Sequence, residues 1–178
     1  MTALMLALAL TTAPSAAMKV VAKDGVPSVR VTVQANDALR KHGANEEAAR
    51  AWAELALERC GMQIWSPSDG WGATAILYVN LAGLDQGTSG YFGRVGVQFT
   101  AVRVVEGIPF VELDAYSEGV LISGPPLDAQ RDIRAGLDAM LDQLCSTYRQ
   151  AKEEIGKKRP AKGGDRSAGD SPGPGHAP

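Results

Sequence analysis

Between residues 75 and 121 an alternation of apolar with polar or small residues recurs three times, and this pattern restricts the chain more than any other. A period of two sends successive side chains to opposite sides of an extended strand, so each run has one face to bury. The first run carries Ala75, Leu77, Val79 and Leu81, the second Val95, Val97, Phe99 and Ala101, and the third Val111, Leu113 and Ala115. Upstream, Val29, Val31 and Val33 alternate with Arg30, Thr32 and Gln34, giving a further strand that Pro27 can begin. Residues 62–65 offer a short fifth.

A hairpin between the second and third runs must bring both apolar sets to one side of the sheet. Pairing Ala101 with Val111 and Phe99 with Leu113 does so, and leaves Val105, Glu106 and Gly107 as a three-residue loop with glycine where positive φ is needed. On the outer face this register sets Thr100 opposite Glu112, Gln98 opposite Asp114, Gly96 opposite Tyr116 and Arg94 opposite Glu118. With Val79 opposite Val95, Tyr78 flanks Gly96 from the other side. Such a face is either solvated or a recognition surface. Tyr78, Arg94, Gln98, Asp114 and Tyr116 are its candidate partner-binding residues.

Two amphipathic helices bracket the strands. Asn45 is placed to cap the first, with Glu46 and Glu47 in its opening turn, and Gly61 to end it after about Cys60. Its apolar side holds Ala48, Ala49, Trp52, Leu55, Ala56 and Cys60, with the stem of Arg59 at the margin. The second runs from about Leu127 to beyond Tyr148, behind Pro125 and Pro126, with Ile133, Leu137, Met140, Leu141, Leu144 and Tyr148 as its stripe. Residues 35–44 suggest a short turn of helix closed by Gly43. The fold class is therefore α+β, a two-layer sandwich. Its four- to five-stranded, largely antiparallel sheet carries both helices on one face, in the order β-α-β-β-β-α.

Residues 1–17 read as a cleaved signal peptide: residues 3–10 are apolar, and Ser15 and Ala17 are the small residues a signal peptidase accepts. A single domain at 18–155 and a disordered Gly/Pro/Lys-rich tail at 156–178 complete the division. No Lys or Arg precedes the apolar run, so the alternative is a cytosolic protein beginning at Met18. The run is too short to span a membrane. Export implies a disulfide between Cys60 and Cys145, one on each helix.

The tail has five basic and two acidic residues, so of the net charge of −2 it holds +3 and the rest of the chain −5. An acidic body lacks the basic footprint that nucleic acid requires. His42 and His176 are the only histidines, no metal-ligand spacing occurs, and no cofactor motif is present. His42 reads as a solvent-exposed loop residue. Residues 84–93 read as a mobile hairpin loop, in which Gly87, Gly90 and Gly93 resemble a phosphate-binding spacing only superficially. Trp65 and Trp71, around a turn at 66–72, either cap the core or form a recognition loop.

Glu112, Asp114 and Glu118 share a face, the minimal arrangement for paired acid and base work, and a small secreted hydrolase is the competing class. The reading preferred here is a periplasmic or secreted, non-enzymatic binding or assembly accessory domain. It would engage a protein or cell-envelope component through the open sheet face and adjacent loops, with no nucleic acid and no transmembrane segment in the mature chain.

Overall fold

A computed structural model describes residues 13–69, 72–105, 108–125 and 127–158. Its five strands are β1 (Ser28–Ala35), β2 (Gln63–Ile64), β3 (Ala75–Asp85), β4 (Tyr91–Val105) and β5 (Ile108–Gly124). They form one mixed sheet in the order β2-β1-β3-β4-β5. β1 runs parallel to both β2 and β3, and β3, β4 and β5 are antiparallel. The parallel step from β1 to β3 needs a crossover. Helices α2 (Asp37–Lys41) and α3 (Glu46–Arg59) supply it, and α4 (Ala129–Lys158) follows β5. The fold is thus the expected α+β, with helices on the sheet.

The alternating residues are the core. Val29, Leu77, Val79, Leu81, Val95, Val97, Phe99 and Ala101 are buried, and so is the α4 stripe of Ile133, Leu137, Met140, Leu141, Leu144 and Tyr148; α4 packs on β4 and β5, and α3 on β1. Gly136 lets α4 approach closely, because a Cβ there would meet Val120 Cγ1 at 2.8 Å. Asn45 caps α3 by accepting from the Ala48 amide, and Gly61 ends it at φ 78°. The buried side of α3 is rotated from the expected one: Ala49, Ala53 and Leu57 lie innermost, while Leu55 is exposed. Cys60 and Cys145 form a disulfide, Cα to Cα 5.5 Å, tying α3 to α4.

One element was not foreseen. α1 (Ala16–Lys23) is capped by Ser15, whose Oγ accepts from the Met18 amide and donates to the Ala115 carbonyl at 2.8 Å. Pro14, Met18, Val21 and Ala22 are buried, so the expected cleavage point after Ala17 falls within this helix. At the other end α4 continues to Lys158, past the expected start of the tail; residues 159–178 lie outside the described residues.

The hairpin departs from the expected register. Val105 pairs with Ile108, so the connection is the two residues 106–107, themselves outside the described residues. Ala101 faces Leu113, then a bulge inserts Ala115, and Phe99 faces Tyr116. The extra residue flips the parity of β5, and its even positions point inward from there to Gly124. β3 is also displaced from expectation by two residues, with Val79 opposite Val97.

Residues 84–93 are not a mobile loop. The ladder continues through Gly83↔Gly93, Leu84↔Phe92 and Asp85↔Tyr91, leaving only 86–90 as a connection. Gly83 and Gly93 serve packing: a Cβ on Gly83 would lie 2.6 Å from Leu39 Cγ, so Gly83 makes room for the buried leucine of α2, and one on Gly93 would lie 2.8 Å from the Ala82 carbonyl oxygen. Gly87 and Gly90 instead turn the connection, at φ 63° and 123°. α4 begins two residues later than expected, because Leu127 adopts φ 78° and Asp128 accepts from the Asp132 amide.

Candidate functional site

Among the described residues the helices pack on one side of the sheet, and no element covers the other. Its surface can be read in rows across the strands. One row is Thr32, Tyr78, Gln98 and Ser117; the next is Gln34, Asn80, Gly96 and Gly119; the third holds Ala82, Arg94 and Leu121. Because Gly96 and Gly119 face each other without side chains, the middle row is a trough of about 250 Å³ between Tyr78 and Gln98 on one side and Arg94 on the other.

Arg94 is the centre of this arrangement. Its guanidinium lies flat across β5, so close to Gly119 that a Cβ there would fall 2.4 Å from Nε. It makes no hydrogen bond or ion pair among the described residues, and neither do the side chains of Asn80 and Ser117. Leu121 is exposed beside it, and Leu84 and Phe92 are exposed one row further toward the 86–90 end.

The polar groups at the other end of the face are engaged with one another. Gln98 Nε2 donates to Asp114 Oδ1 at 2.7 Å, Thr100 Oγ1 donates to the same oxygen at 3.4 Å, and the Tyr78 hydroxyl donates to Glu112 Oε1 at 3.4 Å. Desolvation, with the Glu112 carboxylate second, raises the Tyr78 pKa above the ordinary phenol value. Glu112 and Asp114 are exposed, and neither lines the trough.

Of the residues expected on this face, Tyr78, Arg94, Gln98 and Asp114 are there. Tyr116 is not: the bulge at Ala115 turns it inward, where its hydroxyl contacts Glu118 and donates to the Met140 carbonyl of α4. Glu118 turns with it, so the row of three carboxylates does not exist; Ser117, Gly119 and Leu121 take the outer positions. Trp65 sits at the β2 edge, away from the trough, with the Arg30 guanidinium 5.6 Å from its ring and its buried indole N–H without a partner. Trp71 lies outside the described residues.

A second polar cluster went unread in the sequence. His42 is buried, 6% exposed, rather than a solvent-exposed loop residue. Its Nε2 lies 3.0 Å from Asp85 Oδ1, and its ring is 5.7 Å from that of Tyr91. Tyr91 donates to Asp132, which also receives Arg131. These bonds hold the ends of α2, β3, β4 and α4 together. Among the described residues no group of His, Cys, Asp and Glu has the makings of a metal site, and no helix is long and apolar enough to cross a membrane.

No protein-family model matches the chain, and no curated protein does. Solved structures with a similar outline include a PelC dodecamer from Paraburkholderia phytofirmans. One crystal form gives a TM-score of 0.44 at 17% identity, over 67% of this chain and 88% of that one. Another gives 0.40 at 14%, over 77% and 93%. A minor lipoprotein from Acinetobacter baumannii gives 0.37 at 13%, over 72% and 94%. At these scores and identities the likeness assigns neither a family nor an activity.

Proposed function

We propose that this is an exported, non-enzymatic domain that binds a protein or other envelope component through the open face of β3, β4 and β5. The observation that carries the reading is Arg94: a guanidinium laid in place against Gly119, with no hydrogen-bond or ion-pair partner and no covering element among the described residues. A guanidinium fixed by packing and free of internal partners is suited to an external one. The Cys60–Cys145 disulfide supports an oxidising compartment outside the cytoplasm. Glu112 and Asp114, which a hydrolase would use, are instead committed to Tyr78, Gln98 and Thr100 on an exposed strand.

The test is photo-crosslinking in the native host, with a diazirine side chain placed at Asn80 or Ser117 on the open face, or at Asp138 or Asp142 on the outer side of α4. Adducts are expected from the two sheet positions alone. Adducts confined to the helix positions would overturn the reading.

A further inference from the structure

The trough itself indicates what kind of group it takes. Tyr78, Asn80, Gln98 and Ser117 line it, each a neutral group that both donates and accepts hydrogen bonds, while Glu118 of the same lining turns its carboxylate inward to Tyr116. Arrays of hydroxyl groups, which also donate and accept, are complemented by that composition. The floor at Gly96 is bare, so a ring can lie on it beside the guanidinium that covers Gly119. At the border stands one cation, Arg94, whose planar fork matches a carboxylate through two parallel N–H···O bonds.

A peptide is matched less well. Its side chains seek apolar anchor pockets, and the exposed Leu84, Phe92 and Leu121 lie outside the lining of the trough. A phosphate chain is matched less well again, since the site offers a single cation on a body of charge −5.

We infer that the trough is a saccharide site, selective for a sugar that carries a carboxylate, with the hexuronate carboxylate on Arg94 and the ring over Gly96. The inference rests on the open face being the binding surface and names the partner's chemistry.

The experiment is a titration of the isotope-labelled full chain followed by amide NMR, using maltotriose oxidised to a uronate at its non-reducing end, maltotriose itself as the neutral counterpart, and an acidic tripeptide. The uronate is expected to shift the amides of Asn80, Gly96, Ser117 and Gly119, with maltotriose weaker by about tenfold or more. Arg94→Gln should weaken the uronate by a similar factor. Gly119→Ala keeps every charge and an ordinary backbone conformation, but its Cβ evicts the guanidinium; affinity should fall here too. Equal binding of maltotriose, or uronate affinity unchanged in Gly119→Ala, overturns the inference. So does tighter binding of the acidic peptide at the same amides, an outcome that leaves the open face standing as the binding surface. Only the crosslinking result bears on that wider reading by itself.

Discussion

All four tyrosines of the chain have pKa values raised above that of a free phenol, with loss of solvent as the leading cause at each. At Tyr91 the Asp132 carboxylate adds to it, and at Tyr116 the Glu118 carboxylate. A raised folded-state pKa contributes stability that is fully present below the unfolded value, about 10, and lost as pH rises through the folded value. Titration followed by tyrosinate absorbance should therefore show little ionisation at pH about 10 and then a steep rise that coincides with unfolding. The opposite sign holds for Asp85, whose pKa is lowered first by the Gly87 amide and then by His42. Its contribution is present above about pH 4 and fades as pH falls through the lowered value. Amide exchange at Gly87 should accelerate there, before the core opens. Neither His42 nor Tyr116 could be placed correctly from sequence. A histidine between two short helices looks exposed until its carboxylate partner, 43 residues away, is known, and the side taken by Tyr116 depends on a bulge that leaves no residue signature.

At the scale of elements, periodicity was a sufficient guide wherever a segment packs along its whole length. The alternating apolar residues of β1, β3 and β4 and the stripe of α4 are buried as the pattern requires, whereas Leu113 of the third run is exposed. The readings that failed were those decided by a neighbour. Gly83 and Gly93 imitate a loop, yet they are strand residues kept small for Leu39. Gly83→Val should cost roughly 1–3 kcal/mol, measured by urea unfolding. α1 was missed because its helix is short and its cap bonds to Ala115, 100 residues away. Ser15→Ala should cost about 1 kcal/mol. A chain beginning at Met18, which lacks the same cap, should melt below one that retains residues 13–17.

For the molecule as a whole, the disulfide closes a loop of 85 residues between two helices on the same face. By chain entropy it should contribute about 4–5 kcal/mol, so reduction should lower the unfolding midpoint sharply. That clamp lies on the covered side of the sheet and leaves the open side untouched. The two-layer architecture was legible in the sequence, and so was the presence of Tyr78, Arg94, Gln98 and Asp114 on the uncovered face. The trough was not, because it depends on Gly96 meeting Gly119, a pairing set by the bulge. The most direct test of the account is the amide-resolved spectrum of the labelled protein as unlabelled envelope extract from its native host is added. Broadening centred on Asn80, Gly96, Ser117 and Gly119, and abolished by Arg94→Gln, is the expected result. Broadening confined to α3 and α4, with those four amides unmoved, would contradict it.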